Sequence, residues 1–134
     1  MEIMGVNIIG VVLATLGFMA VGFIWYGPLF GKRWMALHGY SEADFKDVNM
    51  GLTMGKGVAN ALLTSIVLAL VLGWLGTAGL LASLKTAFVL WLGFSATTSF
   101  LPYIWERQKP ELTAIHLGNQ LFGYLAAATA LSFF

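Results

Sequence analysis

The sequence predicts an all-α fold: an integral membrane four-helix bundle with short interfacial helices in its first connection. Three observations predict it. Hydrophobic residues fill 59% of the 134 positions and charged residues 10%, with a mean hydropathy of +0.84, whereas a soluble domain carries about 25% charge. Four stretches each hold the roughly 20 largely apolar residues that a membrane crossing needs. From Gly57 to Gly73 every fourth residue is small (Gly57, Ala61, Ser65, Ala69, Gly73), aliphatic residues fill the other faces, and no charge interrupts the run. In water such a helix would have no polar face to show. In lipid, a groove of small residues lets a neighbouring backbone approach closely, and that packing drives association.

The first span is expected from about residue 4 to Tyr26, stopped by Gly27-Pro28. A secretory signal would begin with basic residues and have a shorter apolar core. Here the first charge is Glu2 and the apolar run is long, so a retained helix is expected. The second span covers about 57–75 and is expected at the centre of the bundle, packed by its small-residue stripe. The turn Gly76-Thr77-Ala78-Gly79 is too short for anything but an antiparallel neighbour. The third span follows at about 80–101, ended by Pro102, and the fourth runs from about 112 to 134, leaving a single four-span domain over 1–134.

Residues 31–56 form the long connection. They alternate charged side chains with aromatic and aliphatic ones, and Ser41-Glu42-Ala43-Asp44 has the form of a helix start. One or two short helices are expected there, with Trp34, Met35, Leu37 and Phe45 dipping into the headgroup layer. Six of the seven Lys and Arg residues fall in this connection and in the one after span three, so both loops belong on the cytoplasmic side and both termini outside it. Trp25, Tyr26, Trp34 and Trp105 are the candidate interfacial anchors on the inner side, and Lys85, inside span three, is near enough to the outer end to snorkel.

Span one closes on Trp25-Tyr26-Gly27-Pro28-Leu29-Phe30-Gly31-Lys32-Arg33-Trp34-Met35. A span ended by W-Y-x-P-x-x-F-G-K-x-W resembles the small bacterial integral membrane proteins catalogued as domain of unknown function 1761. The similarity continues through the acidic loop, Leu90-Trp91-Leu92-Gly93-Phe94, Trp105-Glu106-Arg107, and His116 and Asn119. The resemblance implies a four-helix protein of the bacterial inner membrane; it supplies no established activity and no catalytic residues.

Polar side chains inside a span usually face the bundle or a cavity. His116, Asn119, Gln120 and Tyr124 share one broad face of span four, while Asn60 and Thr64 of span two and Thr98 of span three reach a similar depth. The candidate polar layer is therefore Asn60, Thr64, Thr98, His116, Asn119 and Gln120. It is either a cytoplasmic-side site for a small molecule or proton, with His116 as its titrating member, or hydrogen-bonded glue between helices. Metal binding is not expected: Cys is absent, and one His beside carboxamides falls short of the three or four ligands zinc takes. Glu106, Arg107 and Glu111 read as a solvated loop. Gly51 to Gly57 does not match a phosphate loop.

A net charge of +1 offers no field for nucleic acid, so the expected partners are the lipid bilayer and other membrane helices. The favoured function is a structural or accessory subunit working by helix packing, in a homo-oligomer or a larger membrane complex, without enzymatic activity and without a cofactor. Small-residue faces in spans two and three, the latter through Gly79, Ser83, Ala87, Ser95 and Ser99, support it. The alternative is a small transporter or channel with the polar layer as its site.

Overall fold

The computed structural model describes residues 2–3 and 6–134, with side chains from Val6 onward. Positions 4–5, where the first span was expected to begin, lie outside the described residues. Strand β1 (Glu2–Ile3) pairs antiparallel with β2 (Val6–Asn7), Ile3 opposite Val6. Helix α1 (Ile8–Ile24) therefore starts later than expected, where the Asn7 side chain accepts the Gly10 amide at 3.1 Å.

Gly27-Pro28 does not stop this helix. The segment widens into a π-helical turn, Trp25–Leu29, in which the Phe30 amide reaches back five residues to the Trp25 carbonyl at 2.8 Å. Widening absorbs the amide that Pro28 lacks and the room its ring demands. At Gly31 a Cβ would run into the Tyr26 carbonyl oxygen, so only glycine lets the chain fold directly into α2 (Gly31–His38). A 3₁₀ turn (Glu42–Phe45) follows, with Ser41 and Asp44 capping each other.

Helix α3 (Met50–Trp74) begins well ahead of the expected Gly57, because Asn49 caps the Leu52 amide at 3.0 Å and Gly51, Gly55 and Gly57 are carried in the helix. The turn after it places Gly76 at φ 63° and Gly79 at φ 87°, which favours glycine at both. Next come α4 (Leu80–Leu90), a second π-helical turn (Trp91–Ala96), α5 (Thr97–Ser99) and α6 (Leu101–Trp105). Pro102 does not end this segment either. It occupies the first turn of α6, where no amide donor is required. Helix α7 (Pro110–Leu131) closes the fold, also with a proline in its first turn.

Three segments are long and apolar enough to cross a membrane: Ile8–Leu29, Met50–Trp74 and Leu80–Trp105, with mean hydropathies of 2.3, 1.9 and 1.4. Helix α7 is as long as the first of these, yet it is not among them. Thr113, His116, Asn119 and Gln120 dilute its apolar content.

The helices pack in the order α3, α1, α7, α4, and the α1–α7 contact is by far the most extensive. Helix α3 was expected at the centre; it lies at one edge, against α1, and barely touches α4 or α7. The physical reason is the seam between α1 and α7. Gly123 receives the Phe18 ring, Gly118 receives Trp25, and Gly17 faces Ala126. Aromatic side chains seated on glycines give these two helices a more extensive contact than the α3 stripe gives α3 and α1.

That stripe is only partly used. Ala61 and Ser65 are buried and Gly57 lies beside Met19, whereas Ala69 is half-buried and Gly73 exposed with open space around it. On α4, Ser83 and Ala87 are buried, Ala87 in the core that it shares with Ala14, Leu68, Leu72, Ala127 and Ala128.

Candidate functional site

The tryptophan-tyrosine end of α1 and the start of α7 are tied by side chains far apart in sequence. The Trp25 indole N–H donates to the Ile115 carbonyl at 2.8 Å, and its ring lies near Phe30 and Phe122, with centroids 5.0 and 5.3 Å away. The Tyr26 hydroxyl and His116 Nδ1 share a hydrogen bond of 2.6 Å. With the imidazole neutral and its proton on Nε2, the tyrosine is the donor. Arg33 grips the Glu111 carboxylate through Nε and Nη2, and the Lys109 ammonium donates to the Leu37 carbonyl at 3.2 Å. Outside the apolar segments, the hydrogen bond from Arg33 holds the Glu111 carboxyl below the usual carboxylate range. Both partners are about half exposed, so solvent screens most of this pair's value.

Trp34 sits in an aromatic cluster built by α2 and the 3₁₀ turn. Its ring meets Tyr26 edge-on at 6.0 Å and His38 at 4.8 Å, and it neighbours Tyr40 and Phe45; His38 stacks flat on Tyr40 at 4.8 Å. Three of the four candidate anchors, Trp25, Tyr26 and Trp34, are thus engaged with other side chains, while Trp105 is 78% exposed.

The six residues of the candidate polar layer are not brought together. His116 is bound to Tyr26. Gln120 Oε1 accepts from both Ser95 and Ser99, the latter at 2.9 Å, which ties α7 to the second π turn and α5. Asn119 Oδ1 is buried without a partner. Thr64 donates to its own helix at the Asn60 carbonyl, 3.1 Å, and Thr98 to the Phe94 carbonyl, 2.7 Å; Asn60 and Thr98 are exposed. The layer divides because α3 and α4 stand apart and the Thr64 hydroxyl is taken up by its own helix. Among the described residues, no three of His, Cys, Asp or Glu gather as a metal site would require.

Where α3 and α4 separate there is a cleft of about 390 Å³. Leu63, Thr64, Val67, Leu68 and Val71 line it from α3, Leu90 and Phe94 from the other side, and Tyr124 from α7. Sequence reasoning missed this cleft, and it missed Tyr26 as the partner of His116. A signal for the Arg33–Glu111 pair was present, since opposite charges stood in two loops assigned to the same membrane side.

No curated protein and no solved structure matches the chain. The family described as "Protein of unknown function (DUF1761)" matches residues 9–132, which include the tryptophan-tyrosine motif, the aromatic cluster and all of α7. With nearly its whole length matched, this chain belongs to the DUF1761 family.

Proposed function

We propose that this is a single-domain, four-span protein of the bacterial inner membrane, with both termini outside the cytoplasm, acting as a structural or accessory subunit through helix packing. The fourth span is α7 past Glu111. Its residues 112–131 rise about 30 Å, the thickness of a hydrocarbon core. Its low hydropathy is tolerable because His116 and Gln120 are turned to neighbouring helices rather than to lipid. The orientation follows from the basic residues of the 31–56 and 106–109 connections.

One observation carries the functional reading: the polar groups of α7 that could have formed a site are mostly taken up in ties to α1, to the second π turn and to α5. Groups used in this way fix helix neighbours. The reading requires neither catalysis nor a cofactor. Extraction of the full chain in a mild detergent, followed by native mass spectrometry, tests it. A homo-oligomer or a heterologous membrane complex of constant stoichiometry is expected, and a monomer that recovers nothing else overturns the reading.

A second reading, a small transporter or channel, is favoured by Asn119 alone. Its Oδ1 is buried and unpartnered one turn from His116. It requires a pH-dependent flux in liposomes that is lost in both His116→Asn and His116→Phe while both variants still fold.

A further inference from the structure

We propose that the cleft between α3 and the α4–π-turn segment holds one acyl chain of an anionic membrane phospholipid, with the phosphate at Lys56. The proposal rests on the membrane reading above. The cleft walls are mainly apolar, Leu63, Val67 and Val71 on α3 with Leu90 and Phe94 on the other side, and Thr64 and Tyr124 add the hydroxyls of the lining. The cleft volume is about 390 Å³. A methylene is close in size to a water molecule, whose share of the liquid is about 30 Å³, so about a dozen units of a hydrocarbon chain match it.

Charge identifies the headgroup. Along α3, Lys56, Asn60, Leu63, Val67 and Val71 recur at steps of four, three, four and four, so they share one helix face. Lys56 lies two turns from Thr64 toward the start of α3, about 12 Å along the axis. It is exposed and forms no ion pair among the described residues. Asn60, also exposed, stands between them and offers a carboxamide donor. The Thr64 hydroxyl is turned onto the Asn60 carbonyl, so it places no free donor in the apolar cleft. An ammonium and a carboxamide on the face of α3 that leads into the apolar cleft, one to two turns before its lining residues, complement a phosphate whose chain runs inward. A zwitterionic choline lipid would bring a second cation against Lys56. The basic loops assign this end of α3 to the cytoplasmic leaflet, where anionic lipids attract basic side chains.

The full chain, purified in mild detergent and delipidated, is titrated with dioleoyl phosphatidylglycerol or dioleoyl phosphatidylcholine and read by native mass spectrometry. One phosphatidylglycerol per chain is expected, preferred about fivefold, as one basic residue at an anionic surface implies. Lys56→Gln, at an exposed position, should equalise the two lipids. Val67→Trp, which fills the cleft from its open side, should weaken both, and Val71→Phe serves if the tryptophan variant does not fold. Equal binding of both lipids by the unaltered chain, or a preference that survives Lys56→Gln, overturns the site. So does cross-linking of a second copy into the cleft. A chain that stays in micelles with no headgroup preference overturns the lipid site alone. A chain that elutes without a detergent belt overturns the membrane reading as well.

Discussion

Gly123→Ala probes the contact that holds α1 against α7. A Cβ at this position would stand 2.5 Å from Phe18 Cδ1 and 2.7 Å from Cε1, far inside the separation of about 3.5–4.0 Å at which carbons attract. The ring is not free to swing away. It is held edge-on to Tyr124, with centroids 5.5 Å apart and planes at 78°, and it packs on the alanine-rich core. Overfilling a packed contact costs about 1–3 kcal/mol, while alanine gains about 0.5–1 kcal/mol over glycine within a helix. Gly55→Ala isolates the second effect, because a Cβ there meets nothing within 4 Å. Gly123→Ala should therefore be about 1–3 kcal/mol less stable than Gly55→Ala in reversible unfolding by a denaturing detergent. Adding Phe18→Leu should restore part of the loss, with a coupling of about 0.5–3 kcal/mol. Equal stability of the two single variants would refute the argument that glycine holes filled by aromatic rings lock this seam.

Other perturbations separate the remaining contacts. Ala61→Leu, at a buried position facing α1, should cost about 1–3 kcal/mol, whereas Leu62→Ile and Gly73→Leu, both exposed, should be tolerated in the same unfolding assay. Tyr26→Phe leaves His116 Nδ1 without its partner and should cost about 0.6–1.7 kcal/mol, the range for interhelical hydrogen bonds in membranes. In the same assay, His116→Asn should retain more stability than His116→Phe if His116 is glue. The Arg33–Glu111 pair lowers the carboxyl's pKa in the folded chain, so the fold binds fewer protons there than the unfolded chain does. Its small stabilisation is present above the ordinary carboxylate range and disappears as pH falls through the depressed value. The stability difference between the unaltered chain and Glu111→Gln should therefore vanish in acid and in high salt. Cysteines placed singly at Ser41 and Thr77 should label from opposite sides of intact cells, position 77 being the one reached by an impermeant reagent; the reverse result inverts the topology.

Local signals were legible because they act within a turn or two. The capping pair Ser41 and Asp44 was readable for that reason, and so were the turn at Gly76–Gly79 and the apolar runs. The prolines carry no such local signal. Pro28 and Pro102 were expected to end helices, but a π turn accommodates one and a helix start the other, and each outcome depends on what the neighbouring segment packs against. The polar layer divides for a related reason. Depth along a span can be counted from sequence, but depth does not say whether Thr64 faces α7 or a cleft.

By itself the sequence determined that this chain is helical, that it is too apolar for water, where its long segments lie, and which family it resembles. These follow from composition and short-range periodicity, since burial in lipid selects residues one segment at a time. Only the tertiary structure decided that α1 and α7 form the middle of the molecule, that Tyr26 meets His116, that Gln120 gathers two serines, and that α3 stands apart from α4. Stripes of small residues occur on α1, α3, α4 and α7 alike. Which of them close on each other depends on which large side chains fill them, and Phe18 on Gly123 and Trp25 on Gly118 are contacts across roughly a hundred residues of chain that no local pattern encodes.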